Sequence, residues 1–345
     1  MLTVLGIESS CDETAACVLR LGDGNATEIL AQQVASQHEV HRPHGGIVPE
    51  LASRQHLQVL APMVQATMAE SGCSLADLDG IVATSRPGLL GSLLVGLSYA
   101  KALAWSLDKP FVGVSHLAGH LNAPFLENPA ITYPHTALLV SGGHTALYHC
   151  KAFGDYELIG ATRDDAAGEA FDKVAKLLEL GYPGGPIIDR LAKEGDPTTQ
   201  QFPRGQVRGR PLDFSFSGVK TAVRYHLDKR SGVPLEDAEV KDVCASFQEA
   251  VVDALIAKTL AAAEHCGDKT ILLTGGVACN SRLREKLQQA AEAVGLTCIV
   301  SSPPLCTDNA VMIAYTGAQH LARGERSGWD LNAEPTEIMR GPPPK

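Results

Sequence analysis

An α/β fold built from two related halves is what this 345-residue sequence predicts. Three observations carry that prediction. Apolar runs of strand character alternate with amphipathic segments at helical spacing, the pattern of an α/β chain. Three of the strands run into small-residue turns, at 9–14, 141–144 and 275–280. The first two strand–turn–strand units lie about 130 residues apart, which points to duplication of one unit. The length itself suits two domains of about 150 residues each.

Taken in order, residues 3–8 read as a strand, 9–14 as a turn and 15–21 as a second strand. Residues 38–56 carry His38, His41, His44 and His56 around Pro43, Gly45 and Gly46, and read as a loop that orders over a ligand. Residues 89–107 form a small-residue-rich helix. The segment 136–150 repeats the opening design: a strand, the Ser141–Gly142–Gly143–His144 turn, then a second strand. In 166–180, Phe171, Val174, Leu177 and Leu178 recur at helical spacing, and Gly181 stops the helix. The stretch 196–216 has prolines, glycines and little apolar periodicity, so it reads as a long functional or mobile loop. A long helix over 240–266, broken at most once, precedes the strand 271–274 and its Gly275–Gly276 turn. Helices over 281–294 and 309–321 close the pattern.

Composition narrows the class. Hydrophobic residues make up 45% and charged residues 20%, which excludes a disordered or collagen-like chain. Nine cysteines include no C-x-x-C pair, and an odd number cannot all be paired within one chain. A chain this size needs no disulfides to support its core, so reduced thiols and a cytoplasmic location are expected. The N-terminal apolar run is too short for a signal sequence, and no run approaches a membrane span.

Several groups have chemical potential. His116 and His120 stand four residues apart, so on a helix both imidazoles share one side and can reach one metal ion. The alternative is a pair that caps or packs at a helix surface. Leu117 stands where a zinc protease carries its general-base glutamate, which makes that chemistry weak. Asp12 and Glu13 could take a proton or hold a cation, or could simply face water on a turn. The turns at 141–144 and 275–280 can offer backbone N–H groups to an anion. Asp172, Asp189 and Asp308 lie next to Gly-rich or helix-start sequence, where carboxylates commonly serve as caps.

Jointly these motifs are far more specific. Residues 6–14 (GIESSCDET), 45–56 (GGIVPELASRQH), 116–120 (HLAGH), 140–145 (VSGGHT), 164–176 (DDAAGEAFDKVAK), 182–186 (YPGGP), 274–280 (TGGVACN) and 306–310 (CTDNA) occur in order along nearly the whole chain. The sequence resembles the bacterial tRNA N6-adenosine threonylcarbamoyltransferases, the TsaD family. The resemblance implies a duplicated actin/Hsp70/sugar-kinase-like (ASKHA) fold with a central cleft. Its domains would be 1–130 plus 308–330, then 131–307, with a tail over 331–345. It implies transfer of a threonylcarbamoyl group from threonylcarbamoyl-AMP to N6 of adenosine 37, in tRNAs reading codons that begin with A.

By matched motif, His116, His120 and Asp308 would ligate one divalent metal, iron(II) first and zinc second. Leu139, Val140, Ser141, Gly142 and Gly143, with Asp172, Gly185, Asp189 and Asn280, would surround the threonylcarbamoyl-adenylate. Asp12 and Glu13 would be the catalytic carboxylates. The implied partners are tRNA, a smaller paralogous ASKHA protein (TsaB) and a P-loop ATPase (TsaE), with no membrane. The competing reading is an ATP-hydrolysing ASKHA protein without transferase activity, which would turn over ATP without tRNA. One departure from the family pattern is Arg86 in Thr84–Ser85–Arg86–Pro87–Gly88, where a glycine is usual.

The formal net charge of −10 argues at first against a nucleic-acid partner. Its distribution reverses the inference. Residues 196–230 hold five Arg and two Lys against three Asp, a local +4. Arg204, Arg208, Arg210, Lys220 and Arg224, continued by Lys229 and Arg230, form a candidate tRNA-facing stripe.

Overall fold

The computed structural model describes residues 1–23, 26–229 and 235–337. Two compact units emerge. One comprises residues 1–131 and 307–337; the other is Thr132–Cys306. Arg230 and the tail beyond 337 lie outside the described residues.

The N-terminal unit is a five-stranded sheet of β1 (Leu2–Glu8), β2 (Glu13–Leu21), β3 (Thr27–Ser36), β4 (Gly80–Arg86) and β5 (Phe111–Ser115), in the order β3-β2-β1-β4-β5. The first three strands are antiparallel, whereas β4 and β5 run parallel to β1. β1 is central and almost wholly apolar because both of its faces are covered. Leu5 and Ile7 pack against Leu60, Met63 and Val64 of α2 (Pro49–Ser71), and against Leu97 and Ala100 of α3 (Leu90–Ser106). On the opposite face Gly6 meets the final helix, as the period of two along a strand requires.

The second unit repeats this plan. β6 (His135–Val140), β7 (Thr145–Ala152), β8 (Asp155–Ala161), β9 (Thr270–Thr274) and β10 (Thr297–Val300) lie in the order β10-β9-β6-β7-β8. Read in chain order, this is the same arrangement, again with an antiparallel trio and two parallel strands. The duplication suggested by spacing is therefore present in the topology. The second core gathers α5 (Ala167–Leu177), α6 (Gly184–Ala192), α7 (Ser217–Asp228), α8 (Asp237–Cys266) and α9 (Ser281–Ala293), with Cys306 of the one-turn α10 (Pro303–Cys306). Phe171 and Phe247 meet edge-to-face within it at 5.1 Å.

Three expectations need correction. Residues 38–56 are not one loop: a short turn of helix at His38–His41 (α1) leads by a 3₁₀ turn to α2, which contains His56. α8 is unbroken for 30 residues and begins at Asp237. No Gly or Pro interrupts 237–266, and Glu239 accepts the Glu236 N–H at 2.9 Å in a capping box. The stretch 196–216 lacks regular structure, yet buried Phe202, Phe214 and Phe216 anchor it. Asp164 pins its far end by accepting the Phe216 N–H at 2.7 Å and the Ser215 hydroxyl at 2.6 Å.

Candidate functional site

The metal-ligand candidates meet in the N-terminal unit, beside the C-terminal ends of β1, β4 and β5. Ser115 ends β5 and caps α4 (His116–Asn122), its hydroxyl accepting the Ala118 N–H at 3.2 Å. His116 therefore opens that helix and His120 follows one turn later, both buried. Asp308 stands just before α11 (Ala310–Ala322), whose own cap is Asn309. Gly119 lets α4 approach α11 closely, for a Cβ there would lie 2.9 Å from Ile313 Cδ1. The result brings His120 Nε2 to 3.1 Å and His116 Nε2 to 3.5 Å from Asp308 Oδ1.

Glu8 completes the arrangement, and the sequence reading assigned it no role. It ends β1, is fully buried, and lies 3.0 Å from His116 Nδ1. Thr84 donates its hydroxyl to Glu8 at 2.6 Å, and the Ser10 N–H reaches the other oxygen at 2.5 Å. With the His116 Nδ1–H donated to Glu8, Nε2 is the nitrogen turned toward Asp308 and His120, the one a metal would take on displacing the proton held there in the metal-free protein. Two imidazoles and a carboxylate, with ligand atoms within 4.8 Å of one another, are a fitting donor set for one divalent ion with an open coordination position. The only advance signal for Glu8 was a lone carboxylate at the end of an apolar strand.

Electrostatics agree with this fit. Burial opposes charge on His116, but Asp308 and Glu8 outweigh it and push its pKa up to about 9 in the metal-free protein. Burial lowers that of His120, an effect only partly offset by its hydrogen bond to Asp308. Glu13 is held well above the usual carboxylate range by burial, then by Asp308 and Asp12. Such crowding of carboxylates creates a demand for a cation. Asp12 and Glu13 also face His38, whose Nε2 is 3.9 Å and 3.5 Å from them. His56 is a brace: its Nε2–H donates to the Cys11 carbonyl at 3.0 Å while Nδ1 accepts from Thr14 at 2.7 Å.

An expected consequence concerns Glu8. Glu8→Gln should weaken metal binding about 10–100-fold, the usual effect of losing such a supporting carboxylate. Metal titration of the stripped variant measures this, and an unchanged affinity would remove Glu8 from the site.

In the second unit the predicted substrate residues form a chain of contacts at the C-terminal ends of β6 and β9. Leu139 and Val140 are buried in β6, so only their backbone can face a ligand. The Ser141 carbonyl accepts the Gly168 N–H of α5 at 3.2 Å. Asp172 of α5 accepts the Gly184 N–H of α6 at 2.7 Å, and Asp189 of α6 accepts the Ser281 hydroxyl of α9 at 2.9 Å. Asn280 caps α9 by accepting the Leu283 N–H at 2.9 Å, and donates to Gln248 at 2.7 Å. Asp172 and Asp189, which lie within their helices, thus hold the first residues of α6 and α9, while Asn280 caps α9 directly. Gly142, Gly143, Gly185 and Gly276 each face open space where a side chain would be.

The comparisons now bear directly on identity. A family model described as "TsaD: tRNA N6-adenosine threonylcarbamoyltransferase" matches residues 28–315. The chain belongs to this family. The tRNA N6-adenosine threonylcarbamoyltransferase of Anaeromyxobacter dehalogenans (strain 2CP-C) is 53% identical over 336 residues, covering 97% of this chain and 99% of that one. The protein of the same name from Sorangium cellulosum (strain So ce56) is 52% identical over 348 residues, covering 96% of each. Among solved structures, T. kodakarensis HypF aligns with a TM-score of 0.64 at 14% identity, over 93% of this chain and 48% of HypF. Component A of the Acidaminococcus fermentans (R)-2-hydroxyglutaryl-CoA dehydratase aligns at 0.54 and 18%, over 92% of this chain and all of that one. Those structural likenesses establish the two-domain ASKHA-type fold. The family match makes this chain a transferase and lends no support to the ATP-hydrolysing alternative.

Two sequence features gain a physical account. Arg86 does not adopt left-handed backbone. Its Nε donates to Glu337 at 2.9 Å, and Glu337 also accepts the Ser115 hydroxyl. Gly88 is the constrained glycine of that motif, since a Cβ there would lie 2.5 Å from the Ser10 carbonyl oxygen. The basic stripe is largely neutralised. Arg204 pairs with Asp253 at 2.9 Å, Arg210 with Asp213 at 3.5 Å, Lys220 with Asp165 at 2.9 Å and Arg224 with Asp228 at 3.8 Å. Arg208 is exposed and has no carboxylate partner among the described residues. None of their helices is long and apolar enough to cross a membrane.

Proposed function

We propose that the protein transfers the threonylcarbamoyl group of threonylcarbamoyl-AMP to N6 of adenosine 37 in tRNAs reading codons that begin with A. The observation that carries this reading is the His116–His120–Asp308 triad, backed by Glu8, within a chain of this family. In the reaction the N6 nitrogen forms a bond to the carbamoyl carbon. The bond from that carbon to the phosphate oxygen breaks, AMP leaves, and N6 gives up one proton. AMP is a good leaving group, so catalysis rests on positioning and charge stabilisation.

His116, His120 and Asp308 would hold the metal. Two histidines and one carboxylate with open positions favour iron(II), with zinc as the second choice. When bound, the ion supplies Lewis-acid stabilisation of a developing oxyanion. We assign receipt of the N6 proton to the carboxylate of Asp12, with Glu13, which burial and its acidic neighbours keep protonated in the metal-free protein, as the second catalytic carboxyl beside it. Leu139, Val140, Ser141, Gly142 and Gly143 would offer backbone groups to the adenylate, alongside Asp172, Gly185, Asp189 and Asn280. Nine free cysteines suit a reducing cytoplasm. The smaller paralogue and the P-loop ATPase are the expected partners.

The deciding assay combines the metal-loaded protein, those two partners, threonylcarbamoyl-AMP and unmodified tRNA. Mass spectrometry should detect threonylcarbamoyladenosine, and its absence beside a working positive control would overturn the reading. For the tRNA stripe, Arg208→Glu should weaken tRNA binding by about 1–2 kcal/mol and flatten its salt dependence. Arg204→Glu serves as a comparison, because Arg204 is already paired. Equal affinity in Arg208→Glu and the native protein would remove the stripe from tRNA recognition.

A further inference from the structure

The second unit gathers another set of metal-ligating side chains, at the end of its sheet where β6 and β9 begin. This is the end opposite the Ser141 and Gly275 turns. His149 lies late in β7, Cys266 is the last residue of α8, and Asp268 lies in the connection to β9. One ligand atom from each comes within 4.8 Å of the other two.

Asp268 makes this more than a chance cluster. Its carboxylate is fully buried, and its Oδ2 accepts the Thr136 hydroxyl at 2.6 Å and lies 3.0 Å from His149 Nδ1. Its Oδ1 is equally buried and has no hydrogen-bond partner among the described residues. No lysine or arginine among the described residues forms an ion pair with it. A buried carboxylate with an unused oxygen and no permanent cation is costly, so the site is incomplete as it stands. The negative end of the 30-residue α8 dipole adds to the attraction for a cation.

We propose that His149, Cys266 and Asp268 bind a zinc ion, separate from the His116–His120–Asp308 centre. An imidazole nitrogen, a thiolate sulfur and a carboxylate oxygen are the mixed donors Zn²⁺ accepts in tetrahedral coordination, with water in the fourth position. Binding releases the Cys266 thiol proton to solvent and leaves the ion's oxidation state unchanged. The ion ties the end of α8 to β7 and to the start of β9, so its effect falls on stability.

Cobalt(II) is the discriminating probe, because the first triad contains no sulfur. Titrating full-length, metal-free protein with Co²⁺ should produce a sulfur-to-cobalt charge-transfer band in the near ultraviolet. That band should persist in His116→Ala/His120→Ala and in Cys279→Ala/Cys306→Ala, disappear in Cys266→Ser, and bleach on adding zinc. Absence of the band from the native chain, or its survival in Cys266→Ser, overturns the proposal. So does its loss in the Cys279/Cys306 variant. If Cys266→Ser does not fold, alkylation of the native protein decides the matter. Zinc should protect Cys266 selectively, and equal labelling with and without zinc overturns the site.

Discussion

His120→Ala should cost the protein one metal equivalent and lower threonylcarbamoyl transfer about 10³-fold. His120 is fully buried with its Nε2 3.1 Å from Asp308, so no water-exposed group can take its place. Lewis-acid stabilisation contributes several kcal/mol, and about 4 kcal/mol corresponds to three orders of magnitude in rate. Metal analysis and single-turnover transfer should fall together. The loss of metal identifies a ligand, whereas a merely structural histidine would lower thermal stability with the metal retained. Full activity with full metal content in the variant would mean that the triad is not the metal centre.

The second large effect separates two adjacent glycines. Gly275 has φ +93°, and a Cβ there would lie 2.5 Å from the Val140 carbonyl oxygen. Gly275→Ala meets both backbone strain and a clash with a rigid strand, and should lose about 3 kcal/mol or more. Gly276 has no left-handed φ and faces open space. Gly276→Ala should therefore keep native stability while placing a methyl group in the 275–280 turn that leads to Asn280, a proposed adenylate contact, raising the KM for the adenylate. Denaturant melts and transfer kinetics on the pair test this. Equal stability of the two variants would show that the β9 turn tolerates a side chain at 275.

Much of the fold was legible because its signals are local. The strands at 3–8, 136–140 and 271–274 stand out as apolar runs ending in small residues, and their repetition anticipated the common strand order of the two sheets. The His116–His120 spacing is likewise a local property of a helix. The 38–56 stretch misled because histidines, glycines and a proline crowd its first half, whereas the helix containing His56 is secured by burial against β2. In 196–216 the three buried phenylalanines follow no secondary-structure period, so their anchoring role depends on long-range contacts.

The sequence by itself determined the α/β class, the duplication and, through an ordered set of motifs, the transferase family. Tertiary structure decided what those residues touch. Asp308 reaches the two histidines only because α11 returns from the far end of the chain to pack against α4, and Glu8 orients His116 across a separation of 108 residues. The same holds for the basic stripe, where folding brings Asp253 to Arg204 and Asp165 to Lys220, while Arg210 and Arg224 pair with aspartates of their own segments. Periodicity and spacing report a residue's own element. Ligation, tautomer and ion pairing depend on which elements meet, and only the packed chain specifies that.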